Sequence, residues 1–137
     1  MNIETAIQKA SSDLKRNNIK TSLLDSEILM SQALKKDRKF LILNSNKELN
    51  NIQYQKFKKL ISFRLRSKPI AYITGKKFFW KYEFKINDKV LIPRPDTELI
   101  IEQVLEIYKY KSRINLLEIG VGSGCIILSI LKEKKNF

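Results

Sequence analysis

The sequence predicts an α/β chain in which a helical bundle is followed by a β-hairpin and then by the first strand–turn–helix unit of a doubly wound sheet. Three observations carry that prediction. Apolar residues recur every three or four positions from Ile3 to Leu65, the period of one helix face. The stretch K-K-F-F-W-K-Y-E-F-K-I-N (76–87) switches to alternation, with Phe84 and Ile86 set against Glu83 and Lys85. Then I-N-L-L-E-I (114–119), an apolar run of the kind buried in a parallel sheet, leads directly into Gly120, Gly122 and Gly124.

Taken in order, Ile3, Ile7, Ala10 and Leu14 share one face of a first helix that Asn17-Asn18 ends. A second helix starts at Thr21 or Ser22 and carries Leu24, Ile28, Ser31 and Leu34 as its stripe. Asp25 and Glu27 fall in its first turn and Lys35-Lys36 in its last, the order the helix dipole favours. A short helix over 40–43 precedes a longer one from about 51 to 66, with Phe57, Leu60, Ile61 and Leu65 apolar and Pro69 beyond its end. These four helices make a helical domain over residues 1–67. Residues 68–89 read as linker and β-hairpin, Asn87-Asp88 as a turn and Val90-Leu91-Ile92 as a short strand. Pro93-Arg94-Pro95 forms a rigid extended bend. Asp96 or Thr97 then caps a helix whose inner face is Leu99, Ile100, Gln103, Val104 and Ile107. A last helix runs from 125 to about 134, so residues 90–137 read as the opening of a second domain. One parallel strand and its helix leave a sheet uncovered. The sequence therefore predicts an incomplete domain, a fragment cut after its first crossover helix, with 112–137 poorly held.

Composition narrows the chemistry. Without histidine there is no imidazole acid–base group, no Ser-His or Cys-His pair and no His-ligated metal. The single cysteine, Cys125, excludes an internal disulfide and a cysteine zinc site, and no metal is expected. The longest apolar run falls short of the roughly 18 residues of a membrane helix, and amphipathic pattern begins at Ile3 without a leader. A soluble, cytoplasmic chain with no membrane association is expected. Its 27 basic residues, 21 of them Lys, stand against 14 acidic ones, a net charge of +13. Residues 1–67 hold 14 of the basic and 6 of the acidic residues, a net +8. That excess reads either as a solvated lysine surface or as steering toward an acidic or nucleic-acid-bound partner.

The glycine turn is E-I-G-V-G-S-G (118–124). Placed between an apolar strand and a helix, it points the helix's first N–H groups at the strand mouth and favours a nucleotide-like ligand, with a merely structural turn as the alternative; the glycine pattern taken alone is weak evidence. A dinucleotide fingerprint needs its third glycine at 125, where Cys125 stands, and no Lys-Ser/Thr follows for a P-loop. Glu118, two positions before the first glycine, suits a cationic cofactor; S-adenosylmethionine carries an ammonium and a sulfonium and has no phosphate. The same carboxylate also serves as a cap for N–H groups of the turn.

The stretches P-I-A-Y-I-T-G (69–75), F-F-W-K-Y-E-F (78–84) and V-L-I-P-R-P-D-T-E-L-I-I-E (90–102) resemble the HemK/PrmC family, the peptide chain release factor glutamine methyltransferases. L-L-D-S-E-I-L-M (23–30) with K-D-R-K-F-L (36–41) resembles that family's N-terminal helical domain, and L-L-E-I-G-V-G-S-G-C-I (116–126) its cofactor loop. The likeness covers nearly the whole chain. It implies a class I, Rossmann-like methyltransferase domain after the helical one. The implied activity is transfer of a methyl group from S-adenosyl-L-methionine to a glutamine side-chain amide in a release factor. The helical domain would engage the release factor, with any ribosome contact indirect and the chain a monomer. By the same resemblance Glu118, Gly120, Val121, Gly122, Ser123 and Gly124 bind the cofactor and residues 93–98 roof its site. Arg94 either touches the ligand or packs the bend against the strand end. Phe78, Phe79, Trp80 and Tyr82 form the hairpin core or a ligand platform.

Departures from the family pattern matter as much. Its substrate motif, Asn-Pro-Pro-Tyr, orients the glutamine nitrogen toward the methyl group; it does not occur in these 137 residues. The acid expected about 20 residues beyond the first glycine, for the ribose, falls past position 137. No catalytic residue is assigned, and negligible turnover is expected from 1–137 alone. The alternative function is a non-catalytic helical module that binds a release factor or ribosomal component.

Overall fold

Asn2 starts the first helix, α1 (Ile3–Arg16), by accepting the Thr5 N–H on Oδ1 at 2.8 Å. Ile3, Ala6, Ile7, Ala10 and Leu14 are its buried stripe, and Asn18, in the left-handed region at φ 60°, turns the chain after it. The computed structural model describes residues 1–111 and 113–134; residues 112 and 135–137, which the sequence assigns to the second domain, lie outside them. The chain divides into two units, Met1–Thr74 and Gly75–Phe137.

In the first unit α2 (Ser22–Leu34) buries a different face from the expected one. Ser22, Asp25, Ser26, Leu29, Met30 and Ala33 point inward, while Leu24 is 47% exposed. Apolar residues surround this helix, so periodicity alone does not select a face. The small Ser22, Ser26 and Ala33 fit the packing against α1, and Ser26 Oγ satisfies itself on the Ser22 carbonyl at 2.8 Å. Thr21 makes no side-chain cap. Asp37 caps α3 (Arg38–Leu43) through the Phe40 N–H at 2.8 Å. Asn50 and Gln53 form a reciprocal capping box at the head of α4 (Asn51–Leu65), at 2.8 and 3.1 Å. Past Pro69 a short α5 (Ile70–Thr74), too brief to show a period in the sequence, lays Ile70 and Ile73 against the same core.

Asp25 does more than answer a dipole. Its Oδ2 lies 2.7 Å from Arg64 Nε, joining α2 to α4, and Arg64 Nη1 also donates to the Lys68 carbonyl at 3.3 Å. Both side chains are largely buried, at 6% and 18% exposure. Phe57 and Ile61 of α4 complete a core with Leu14, Leu29, Met30 and Leu41.

The second unit opens on β1 (Lys76–Phe79) and β2 (Tyr82–Lys85), antiparallel with Lys76 opposite Lys85 and Phe79 opposite Tyr82. Trp80-Lys81 forms the two-residue turn. Val90-Leu91-Ile92 is not a strand: it belongs to no sheet among the described residues, and Val90 N–H bonds to the Asn87 carbonyl within a turn. Pro95–Thr97 is a 3-10 turn leading into α6 (Glu98–Ile107), without a side-chain cap from Thr97. The expected inner face of α6 is corrected as well. Ile101 is fully buried with Val104 and Leu105 beside it, while Leu99, Ile100 and Ile107 are 59%, 49% and 66% exposed. This helix too is apolar on several sides, and its own unit covers only one of them. The strand expected over 114–119 does not form either. Residues 113–118 run unpaired, because the two-stranded hairpin is the only sheet among the described residues. Of the expected strand–turn–helix unit, the turn and a helix, α7 (Cys125–Glu133), form, and no parallel strand does among the described residues. Phe79, Ile101, Cys125 and Ile130 make the core of this unit.

Two stability outcomes follow. Asp25→Ala strands Arg64 without its carboxylate and lowers the urea-unfolding free energy of the helical unit by about 3 kcal/mol. Asn50→Ala removes half of the capping box and costs about 1 kcal/mol in the same measurement.

Candidate functional site

The approach to the glycine turn is an extended segment with alternating exposure. Ile114, Leu116 and Glu118 are half-buried, with Leu116 against the second core, and Arg113, Asn115, Leu117 and Ile119 face outward. Glu118 thereby points toward the start of α7, where its Oε2 accepts the Ile127 N–H at 3.1 Å. The residue at the head of α7 is Gly124, which has no side chain to cap with. Glu118 supplies the cap from outside the helix, and its charge suits the positive end of the helix dipole. Of the two roles open to this carboxylate, capping is therefore real. Its Oε1 has no partner among the described residues and faces no competing bond.

Gly120, Gly122 and Gly124 all take left-handed φ, at 78°, 55° and 73°. The requirement is sharpest at Gly124, whose carbonyl accepts the Leu128 N–H at 3.0 Å and where a Cβ would meet Leu128 Cδ1 at 3.3 Å. At Gly120 a Cβ would meet nothing within 4 Å, so that side of the loop is open. Val121 is 46% exposed and Ser123 half-buried. The six sequence-derived residues thus sit on one turn with one carboxylate and an open face. Such a turn can take a cation at Glu118 and offer backbone groups to a small polar ligand.

Residues 93–98 do not join that turn through any hydrogen bond or ion pair among the described residues. Pro93 is buried, Arg94 is exposed, and Glu98 is engaged elsewhere: its Oε1 accepts the Trp80 backbone N–H at 2.8 Å. Trp80 is held in the left-handed region at φ 55°, a conformation that costs a bulky residue roughly 1 kcal/mol. Its indole Nε1 donates to Glu133 Oε1 at 2.9 Å. The hairpin aromatics divide accordingly. Phe79 is core and Phe78 is 66% exposed, while Trp80 and Tyr82 pack at the edge with their polar ends bonded.

Glu133 is the residue that sequence reasoning missed. Its carboxylate collects Trp80 Nε1, the Tyr82 hydroxyl at 3.0 Å and Lys81 Nζ at 2.9 Å. More than 50 residues separate the partners, so no local pattern signals them. The bonds from Lys81 and Trp80 hold the Glu133 carboxyl below its usual range, although burial opposes them. Glu133 in turn raises the Lys81 pKa, and burial followed by the Glu133 bond raises that of Tyr82. Next to it, at the same C-terminal end of α7, Lys134 Nζ donates to the carbonyls of Tyr108 and Lys109 at 2.7 and 2.8 Å, satisfying the end of α6. Among the described residues no group of three or more Cys, Asp or Glu side chains could hold a metal, and no helix is long and apolar enough to cross a membrane.

The family described as PrmC N-terminal domain matches residues 5–75. A Clostridium acetobutylicum protein named release factor glutamine methyltransferase is 41% identical over 99% of this chain, which covers 48% of that protein. A Leptospira interrogans protein of the same name is 37% identical over 98% of the chain and 48% of its own length. A Rickettsia conorii bifunctional methyltransferase is 32% identical over 98% of the chain and 30% of its own length. The chain spans about half the length, or less, of these relatives.

The Glu133 cluster yields a pH test read by Trp80, the single tryptophan. Folding lowers the Glu133 pKa from 4.5, so its stabilisation is complete above that value and is lost as pH falls through the folded pKa. Trp80 emission should shift to the red on acidification below about pH 4.5. Glu133→Gln should shift it at neutral pH and remove the acid transition.

Proposed function

The chain belongs to the PrmC N-terminal domain family, and from that premise we propose that it is the N-terminal part of a methyltransferase acting on a glutamine side-chain amide of a peptide chain release factor. The observation that carries this reading is the match of relatives bearing that name over nearly all of the chain. Within it, the helical unit docks the protein substrate and Gly75 onward opens a Rossmann-like methyltransferase domain.

S-adenosyl-L-methionine is the proposed cofactor, and the residues present fit one side of it. Glu118 Oε1 is available to an ammonium, the loop beside Gly120 is open, and the left-handed glycines bring backbone rather than side chain to the ligand. Gly120, Val121, Gly122, Ser123 and Gly124 would line the methionine end. When bound, the cofactor supplies an electrophilic methyl group. This chain's contribution is to position, which suits a sequence with no histidine: methyl transfer to an amide depends on alignment of the nitrogen lone pair more than on an imidazole base.

Support for a larger domain comes from exposed apolar surface. Leu117, Ile119, Leu99 and Ile107 are 84%, 90%, 59% and 66% exposed, on segments that a doubly wound sheet covers on both faces. The ribose-binding acid and Asn-Pro-Pro-Tyr would come from sequence corresponding to the other half of the relatives. A second reading, a helical binding module without chemistry, is favoured by one observation: the first unit owns a complete core of its own.

One assay separates the two. Fusing 1–137 to the remaining half of the Clostridium relative and incubating it with labelled S-adenosylmethionine and a release factor should place one methyl on a glutamine amide. Glu118→Gln in that fusion should weaken cofactor binding roughly tenfold, the loss of one charge-assisted contact. Purified 1–137 alone should transfer none. Label on another residue type, or turnover by 1–137 alone, would contradict the proposal.

A further inference from the structure

An open cleft of about 310 Å³ lies in the first unit between α1, α2 and α3. Its floor includes Ile3 and Leu41, both buried, and its walls are Leu23 and Ile42, 47% and 66% exposed. Leu24 and Leu43, next to these walls in sequence, are 47% and 72% exposed. The remaining exposed large apolar side chains of this unit are only Met1 and Ile52. Apolar exposure is thus gathered at the ends of two neighbouring helices, the signature of a surface that meets another molecule.

Charge tells what kind of molecule. The unit is strongly basic, yet the cleft is lined by Glu4 and Glu27 against a single cation, Arg38. Glu27 is only 19% exposed, and Arg38 Nη2 meets its Oε2 at 2.9 Å from a guanidinium that is 64% exposed on the rim. A carboxylate has about four acceptor positions, so Glu27 can receive a second donor while keeping Arg38. Glu4, exposed on the first turn of α1, has no cation in the cleft of its own.

We propose that this cleft docks the protein substrate, through an apolar segment that carries one basic side chain. The apolar part lies between Leu23 and Ile42, and the cation reaches Glu4 and Glu27. The inference rests on the reading of the helical unit as the part that engages a release factor, and it names the surface that does so.

Binding of a purified bacterial release factor to the 137-residue chain, followed by calorimetry, tests it. Leu23→Asp and Ile42→Asp alter exposed side chains and should each weaken binding by about tenfold or more. Glu4→Lys, which adds no apolar change, should weaken it by a similar factor at low salt and less at high salt. Ile52→Asp, on α4 and outside the cleft, should stay within about twofold, and unchanged circular dichroism checks that every variant folds. Bound release factor should also slow amide exchange over 3–8, 23–27 and 38–45. If the three cleft variants bind like the parent chain, the cleft assignment falls and the release-factor reading stands. If the parent chain binds no release factor, both fall.

Discussion

The extended segment 113–118 has one covered face, and the arrangement of the second unit follows from that constraint. Leu116 and Glu118 turn toward α7, the first to the core and the second to its helix cap. Leu117 and Ile119 turn away and are 84% and 90% exposed. With no strand beside it among the described residues, the segment gains no ladder hydrogen bonds there and is held by side chains, chiefly the Leu116 contact and the Glu118 carboxylate. The glycine turn that it feeds is consequently held by Glu118 from one side and by the Gly124–Leu128 bond from the other. Capping and ligand capture need not compete, because a carboxylate offers two oxygens.

The first unit is built on the opposite principle. Four longer or shorter helices and α5 converge on a core that includes Leu14, Leu29, Met30 and Phe57, and every helix start except that of α2 has a side-chain cap or a proline before it. The Asp25–Arg64 pair adds geometry that apolar packing alone does not impose. A buried ion pair contributes little net stability, but it penalises any register of α2 on α4 that separates its members. A unit with this closed core can present Leu23 and Ile42 outward without collapse, which a docking surface requires.

How much of this was legible in the sequence depends on how local the signal is. The ends of α1, α4 and α7 were readable because breakers such as Asn17-Asn18, Pro69 and Gly124 act within a few residues, although the Asn50 cap of α4 was not read. The buried faces of α2 and α6 were not, since both helices are apolar on several sides and tertiary fit chose among them. In α2 the choice went to Ser22, Asp25 and Ser26, residues a hydrophobic stripe passes over. The strand over 114–119 was read from apolar continuity, which measures a preference for two-sided burial and not the presence of neighbours that provide it. At the site, the glycine turn was evident as a motif, whereas the Trp80–Glu133 cluster joins residues far apart in the chain and left no pattern to find.

The central claim is that the helical unit has a closed core of its own, whereas the segment before the glycine turn leaves Leu117 and Ile119 exposed and is held mainly by side chains. Residue-resolved hydrogen exchange on the monomeric chain tests it most directly. Amides of α1, α2 and α4 should exchange only through global unfolding of their unit, and those over 114–131 should exchange with little protection. Strong and uniform protection across 114–131 would contradict the account.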